Sequence, residues 1–201
     1  MMRERRWVVP FLDLSNVLFF FFVALFAMAL LVIGEEQSKA KVDTTSRLIV
    51  SMTWRDGSAN DVDLSLKTPA GNVIWYRARQ ADFASLDHDN LGLYTSTATD
   101  ADGNPITLAS RDEVIFLRGT MAGTYVVNTH LYHQSDATPE PVTVTLVSVD
   151  PSYHAITTRK LVLTENHQED TAFRFTLDQA GNVTSTDLVP EAFINDLLGH
   201  P

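Results

Sequence analysis

The feature that most constrains this chain is a long apolar stretch near its start, WVVPFLDLSNVLFFFFVALFAMALLVIG, which covers residues 7–34. Between Leu14 and Ile33 the only polar side chains are those of Ser15 and Asn16. A helix of about 20 residues, at a rise of 1.5 Å per residue, spans about 30 Å, the thickness of the hydrocarbon core of a bilayer. The stretch therefore predicts a transmembrane helix, to which we assign residues 10–34.

Charged residues on either side of the stretch predict its orientation. Arg3, Arg5 and Arg6 precede it, whereas Glu35 and Glu36 follow it. Because basic residues are retained on the cytoplasmic side of a membrane, we expect a cytoplasmic N-terminus over residues 1–9 and the rest of the chain outside.

A cleaved signal peptide is the alternative interpretation of this stretch. Ala27-Met28-Ala29 has the small-x-small form of a cleavage site. The apolar run continues through Ile33, however, and exceeds the roughly 7–15 residues of a typical signal-peptide core. This length favours an uncleaved anchor.

One carboxylate, Asp13, lies within the apolar stretch. An ionisable group in a membrane helix costs a few kcal/mol to insert, so it usually faces a protein partner or a hydrated path and marks a functional site. Ser15 and Asn16 lie close to it and are expected to form a small supporting polar face. The alternative is that Asp13 sits at headgroup level and only begins the helix, although the residues from Trp7 to Leu12 are nearly all apolar.

The start of the helix resembles the single transmembrane helix of the ExbD and TolR proteins and, more distantly, that of the flagellar stator protein MotB. The resemblance rests on a proline, two apolar residues and an aspartate, followed by a Phe-rich apolar helix. These residues are Pro10-Phe11-Leu12-Asp13, then Leu14, Val17, Leu18, Phe21 and Phe22.

The resemblance implies a function and a set of partners. Two copies of the helix would sit inside a ring of multi-spanning proteins of the MotA, ExbB or TolQ kind in a bacterial inner membrane, with the C-terminal domain in the periplasm. Asp13 would carry a proton or Na⁺, and the ion flux would drive force on an unknown extracytoplasmic target. The alternative function is a passively anchored β-sandwich module that recognises a protein or a glycan.

Composition restricts what the external part can bind. Residues 1–34 hold three of the 15 basic and two of the 25 acidic residues, which leaves 12 basic and 23 acidic residues, a net charge of −11, outside. A partner with a polyphosphate backbone requires a basic face, so nucleic acid is excluded as a partner. The chain has no cysteine, which excludes disulfides, thiolate metal sites and thiol nucleophiles.

Beyond a polar segment, residues 35–45, which is predicted to be a flexible linker, the apolar residues follow a period of two. Short runs rich in β-branched and aromatic residues are separated by turn residues such as Asp56-Gly57. The predicted strands are residues 48–54, 62–66, 73–76, 113–117, 124–132, 142–149, 156–163 and 172–177.

This pattern predicts an all-β antiparallel sandwich of about eight strands over residues 46–187, after the single N-terminal transmembrane α-helix. Residues 82–103 are rich in Asp, Asn, Gly, Ser and Thr and are predicted to be a long loop or an irregular sheet edge. The C-terminal residues 188–201 are predicted to be a tail or a short helix with Phe193, Leu197 and Leu198 on one face.

The predicted sandwich resembles the bacterial YfaP-like domains, which share features with pre-peptidase C-terminal domains. The resemblance supports the fold rather than an activity. It rests on Asp61-Val62-Asp63-Leu64, Pro69-x-Gly71, Leu86-Asp87-His88-Asp89-Asn90-x-Gly92 and Gly123-Thr124-Tyr125-Val126-Val127.

Acidic residues in this part of the chain suggest a Ca²⁺ site. Hard cations prefer the oxygen ligands of Asp and Asn side chains, and two neighbouring segments supply them. The candidate ligands are Asp61, Asp63, Asp87, Asp89 and Asn90. The alternative is that these residues cap turns, as we expect for residues 99–104, which begin like an EF-hand loop but lack its glycine and glutamate.

Catalytic signatures are missing from the sequence. No nucleophile elbow, glycine-rich phosphate loop or zinc-binding histidine spacing occurs, and His130 and His133 are three apart on a predicted strand. We therefore expect a protein that is not an enzyme and needs no cofactor other than the candidate Ca²⁺.

Overall fold

The computed structural model describes residues 5–39, 47–92 and 97–199. The chain divides into two compact units, residues 1–43 and residues 44–201. The first unit holds a long helix, and the second holds β-sheets and one short helix.

Helix α1, Arg5–Lys39, makes up the described part of the first unit. Its segment Phe11–Met28 is long and apolar enough to cross a membrane, a property that a signal sequence near the N-terminus shares. The helix extends five residues beyond Gly34 into the predicted linker, because Glu, Gln and Lys favour helical backbone. Residues 40–45 of that linker lie outside the described residues.

The second unit contains thirteen strands and one short helix among the described residues. The strands are β1 Leu48–Thr53, β2 Asp61–Lys67, β3 Val73–Ile74, β4 Gln80–Ala81, β5 Ala84–His88, β6 Thr97–Thr99, β7 Pro105–Thr107, β8 Asp112–Leu117, β9 Gly123–His133, β10 Glu140–Ser148, β11 His154–Leu163, β12 Glu169–Leu177 and β13 Val183–Asp187. The helix is α2, Ile194–Leu198.

The strands form two antiparallel sheets and one small hairpin. The first sheet has the order β11-β10-β1-β8-β5-β4, the second has the order β13-β12-β9-β2-β3, and β6 pairs with β7. The structure thus confirms the predicted fold class, an N-terminal helix followed by an all-β antiparallel sandwich. Strand β1 pairs along its whole length with β8 on one side and β10 on the other.

The core lies between the two sheets, because alternate residues of each strand face inward. Tyr125 and Phe175, neighbours on β9 and β12, stack with their ring centroids 4.9 Å apart. Fully buried side chains from both sheets fill the space, among them Val50, Met52, Leu64, Leu66, Ile115, Val127, Leu131, Val144 and Leu146.

Within the described residues, the segment 82–103, for which a long loop or an irregular edge was predicted, contains the strands β5 and β6. Strand β5 pairs with β8, so that Leu86 lies opposite Ile115 in the first sheet. Ala84 and Leu86 face the core while Asp87 faces outward. The alternation of inward-facing and outward-facing residues in β5 is short, and the Asp and Asn residues at its end made the segment resemble a loop in the sequence.

The C-terminal helix forms within the predicted segment, and two of the three apolar residues predicted to share a face, Phe193 and Leu198, pack against the sandwich. Phe193 and Ile194 pack against Trp75 and Val126 on the outer face of the second sheet, whereas Leu197 is half exposed. Because α2 has only five residues, the residue that precedes it supplies part of its apolar contact. Gly199 ends the helix in the left-handed conformation, with φ of 73°.

Truncation of a core leucine is expected to destabilise the sandwich strongly. Leu66→Ala removes a fully buried side chain between the sheets and should lower the free energy of unfolding by about 2–5 kcal/mol. Urea unfolding of the full-length chain in detergent, followed by tryptophan fluorescence, measures this change. Leu188→Ala is the matched control, because Leu188 is 54% exposed, and it should change stability by less than about 0.5 kcal/mol. Equal effects of the two substitutions would contradict this assignment of the core.

Candidate functional site

Asp13 is the single charged residue of the segment Phe11–Met28 of α1. The apolar side chains around it, such as Phe11, Leu14 and Val17, are exposed in the single chain. Exposed apolar surfaces of this extent are typical of segments that contact a membrane or another protein. The carboxylate therefore belongs to a surface that the chain alone does not cover.

Only one of the two predicted supporting residues shares the face of Asp13. Asn16 follows Asp13 by three residues, so the two side chains lie within about 60° of each other around the helix. Ser15 follows by two residues and points about 160° away from Asp13. The polar face around the carboxylate thus consists of Asp13 and Asn16.

A second group of acids lies in the sandwich, and we call it the acidic cluster. It comprises the carboxylates of Asp61, Asp63, Asp89 and Glu113 with the amide of Asn90. Strand β2 supplies the first two residues, the segment after β5 supplies Asp89 and Asn90, and β8 supplies Glu113. The cluster thus joins a strand of one sheet to a strand of the other.

Glu113 occupies an inward-facing position of β8. It alternates with Ile115 and Leu117, and like them it is fully buried. Its carboxylate accepts hydrogen bonds from the backbone N–H of Leu64 at 2.7 Å and of Asn90 at 3.3 Å. Strand β3 pairs with β2 only at Leu66 and Lys67 and does not reach Leu64. The Glu113 carboxylate therefore binds the backbone N–H of Leu64 where β3 provides no partner.

The segment after β5 is held against the chain that precedes β2. Gly92 has φ of 62°, and a Cβ at this residue would lie 3.0 Å from the backbone oxygen of Asn60. A side chain here would therefore force the backbone apart. The glycine permits the close approach that brings Asp89 and Asn90 to the cluster.

Oxygen atoms of Asp63, Asp89 and Glu113 all lie within 4.8 Å of one another. Several buried oxygens of the cluster accept no hydrogen bond from any described group. These atoms are Oδ1 of Asp61, Oδ2 of Asp63, Oδ1 of Asp89 and Oδ1 of Asn90. Buried oxygens without donors are costly, so the cluster has acceptor capacity that the described residues do not fill.

Positive charge near the cluster is sparse. The guanidinium of Arg79 lies 3.8 Å from Asp89, and the Arg79 side chain is half exposed. The buried His130 ring, paired across from Asp63 on β9, has its Nδ1 3.9 Å from Oδ2 of Asp63, beyond hydrogen-bonding distance. Neither group neutralises four carboxylates.

Burial and mutual repulsion favour the protonated forms of these acids. Burial, and next the charges of Asp63 and Asp89, raise the pKa of Asp61 to about 7. Burial also raises the pKa of Asp63. Burial, with the charge of Asp63 second, raises the pKa of Glu113 well above its ordinary value.

A second buried glutamate in the same sandwich has a different environment. Glu140 is fully buried, but it accepts hydrogen bonds from the hydroxyl of Ser58 at 2.6 Å and the amide of Asn60 at 2.8 Å. The backbone N–H and the guanidinium of Arg55 complete its shell at 3.1 and 3.2 Å. Glu140 is therefore a satisfied structural acid, whereas Glu113 faces other carboxylates.

Four of the five sequence-predicted Ca²⁺ ligands, Asp61, Asp63, Asp89 and Asn90, meet in the acidic cluster. The fifth, Asp87, does not join them, because its carboxylate pairs with Arg118, which lowers its pKa. Sequence reasoning missed Glu113. Glu113 occupies the same alternate positions of a predicted strand as Ile115 and Leu117, and an acid in such a position was the signal that could have identified it.

The EF-hand-like segment is a turn, as predicted. Oδ1 of Asp100 accepts hydrogen bonds from the backbone N–H of Asp102 at 3.0 Å and of Asn104 at 2.8 Å, between β6 and β7. Its carboxylate thus serves the turn itself.

Comparison of the chain with protein-family models, curated proteins and solved structures found no match.

The acidic cluster predicts that stability falls as the pH rises when metal ions are chelated. The folded state binds protons at Asp61, Asp63 and Glu113 more tightly than the unfolded chain, in which Asp titrates near 3.8. The stabilisation is complete below about pH 4 and is lost as the pH rises toward and beyond 7, by on the order of 2–4 kcal/mol. Thermal unfolding of the full-length chain in detergent and EDTA should give a lower melting temperature at pH 8 than at pH 5.

Asp61→Asn is the matched variant for this prediction, since it removes the acid whose pKa lies near 7. It should reduce the difference between pH 5 and pH 8. Exposed acids such as Asp178, whose pKa is lowered by hydrogen bonds, titrate below this range and contribute little to it. A melting temperature that rises from pH 5 to pH 8 would contradict the prediction.

Proposed function

We propose that the chain is a subunit of an ion-driven motor in a bacterial inner membrane, similar to ExbD, TolR and MotB. In this proposal Asp13 is the ion-carrying group. The proposal rests on the observation that the apolar segment Phe11–Met28 contains one carboxylate, that of Asp13. The proposed function includes no enzymatic reaction.

The surroundings of Asp13 support an ion-carrying role. A carboxylate can bind a proton or Na⁺ and release it again, and an ionisable group within an apolar span usually faces a protein partner or a hydrated path. The transfer of one charge across 100 mV is worth about 2.3 kcal/mol, so a few ions per step can drive a conformational change. Every other side chain of the segment is uncharged.

The exposed apolar side chains of α1 support assembly with other membrane helices. Two copies of α1 inside a ring of a multi-spanning protein would surround Asp13 and Asn16 with protein and a hydrated path. The three arginines before the apolar segment Phe11–Met28 favour an N-terminus in the cytoplasm, which leaves the acidic sandwich in the periplasm.

The topology of the sandwich is suited to the transmission of force. Strand β1 is the first strand after the helix in the chain, and it lies in the middle of the six-stranded sheet. A pull applied at Leu48 would act on the ladders with β8 and β10 together. Such loading resists unfolding better than the peeling of an edge strand.

The proposal is tested by purification of the tagged full-length chain in detergent from its native host. We expect a multi-spanning membrane protein to co-purify with the wild type and with Asp13→Asn, because the substitution keeps the helix surface nearly unchanged. A phenotype of gene deletion should be restored by the wild type but not by Asp13→Asn. Ser15→Ala, on another face of the helix, is the matched control and should restore it.

Loss of function in Asp13→Asn with an intact complex supports the ion-carrying role. If no membrane protein co-purifies and Asp13→Asn restores the phenotype, α1 is a passive anchor. The sandwich is then the functional part, as in the alternative of an anchored binding module.

The absence of cysteine allows a direct test of the dimer of helices. Single cysteines placed at successive positions from Leu14 to Phe22 should form disulfide-linked dimers in native membranes on one face only, with a period of three to four residues. Each variant carries no competing thiol. Cross-linking at no position, or equally at all positions, would contradict a specific dimer.

A further inference from the structure

We propose that the acidic cluster binds a single Ca²⁺ ion that ties the two sheets of the sandwich together. This site is independent of the ion-carrying role of Asp13, since it lies in the second unit of the chain.

The spacing of the carboxylates matches the coordination sphere of Ca²⁺. Oxygens bind Ca²⁺ at 2.3–2.6 Å, so ligands on opposite sides of the ion lie up to about 5 Å apart. Oxygens of Asp63, Asp89 and Glu113 lie within 4.8 Å of one another, which is within this limit. An ion placed between three oxygens at such distances lies within about 2.8 Å of each, so shifts of a few tenths of an ångström are enough to bring all three into contact with it.

The amide of Asn90 provides an independent sign of a ligand. Its side chain is 95% buried, and its Oδ1 has no hydrogen-bond donor among the described groups. Its backbone N–H donates to Glu113, and its amide nitrogen donates to the carbonyl of Ser110. With the nitrogen engaged, the neutral oxygen is left as a buried acceptor on a residue whose backbone is bonded to Glu113, and a cation is a partner that suits both groups.

Charge balance leads to the same conclusion. Removal of one partner from a buried charge is strongly destabilising, and within the described part of the chain the only basic side chains within 4 Å of these carboxylates are those of Arg79 and His130. The contrast with Glu140 is informative, because both glutamates accept hydrogen bonds on both oxygens, but Glu140 also has the guanidinium of Arg55 at 3.2 Å, whereas Glu113 faces other carboxylates. A divalent cation would supply the missing charge at Glu113.

The donor set selects a hard cation. All the converging ligands are oxygens, and the chain contains no thiolate, which disfavours zinc and copper. Mg²⁺ usually retains several waters and requires a nearly octahedral arrangement, whereas Ca²⁺ accepts six to eight protein oxygens in irregular geometry. A set of four carboxylates, two buried and two partly buried, with one buried amide on three separate segments suits Ca²⁺ better.

The site would act as a clamp between the sheets. It joins β2 of one sheet, β8 of the other and the segment that carries Asp89 and Asn90. Ca²⁺ bound there would relieve the repulsion among the carboxylates, so the sandwich is expected to be most stable where Ca²⁺ is abundant, as it is outside the cytoplasm.

The test uses the full-length chain in detergent at pH 7.5, first treated with EDTA and then titrated with CaCl₂ alone. Isothermal titration calorimetry should give one site per chain with a Kd of about 0.1–1 mM, the range of extracellular modules. At 10 mM CaCl₂ the melting temperature should rise by about 3–10 °C. MgCl₂ should bind more weakly than CaCl₂.

Asp89→Asn and Asp87→Asn are a matched pair, because they remove the same charge two residues apart, inside and outside the cluster. Asp89→Asn should weaken Ca²⁺ binding at least tenfold and abolish the rise in melting temperature. In EDTA it should be at least as stable as the wild type, since one repelling carboxylate is gone. Asp87→Asn should keep the response of the wild type to Ca²⁺.

Three results would overturn the proposal. The first is the absence of saturable Ca²⁺ binding up to 10 mM. The second is an equal loss of stability by Asp89→Asn in EDTA and in Ca²⁺, which would make the acid a structural residue only. The third is loss of the response in Asp87→Asn. Tighter binding of Mg²⁺ than of Ca²⁺ would overturn the choice of Ca²⁺.

Discussion

The removal of carboxylates from water costs several kcal/mol, and this cost shapes both units of the chain. In α1 it applies to Asp13, which is surrounded by apolar side chains that the chain itself leaves exposed. In the sandwich it applies to Glu113 and its neighbours, which meet between strands of two sheets. In neither place does the chain alone supply groups that offset this cost. We infer that a ring of membrane helices does so for Asp13 and that a cation does so for the acidic cluster.

The sandwich contains both solutions to the burial of an acid. Glu140 is surrounded by donors from Ser58, Asn60 and Arg55, so it stabilises the fold without help. Glu113 shares its space with Asp63 and Asp89, and among the described residues its hydrogen-bond donors are the backbone N–H groups of Leu64 and Asn90. A buried glutamate therefore has a structural role at the start of β10, as Glu140, and a candidate binding role in β8, as Glu113. The neighbouring side chains determine which role each glutamate has.

Much of this architecture follows from the sequence, because periodicity is a strong signal. The apolar run predicted α1, and the alternation in residues such as Leu64, Leu66 and Ile115 predicted the strands and the core. Strand β5 was missed because five residues carry too little alternation to stand out among Asp and Asn.

The cluster was predicted in part, since Asp87 and Asp89 look equivalent in sequence. Pairing with Arg118, which depends on strand order, separates them. The convergence of Glu113 with them also required the tertiary fold.

The most direct test of the motor proposal is ion flux through the purified complex of this chain with its ring partner, reconstituted in liposomes under a pH or Na⁺ gradient. The account predicts flux with the wild type, reduced flux with Asp13→Glu, which keeps the charge but shifts it by one methylene, and no flux with Asp13→Asn. Equal flux with Asp13→Asn and the wild type would contradict the assignment of Asp13 as the ion-carrying group.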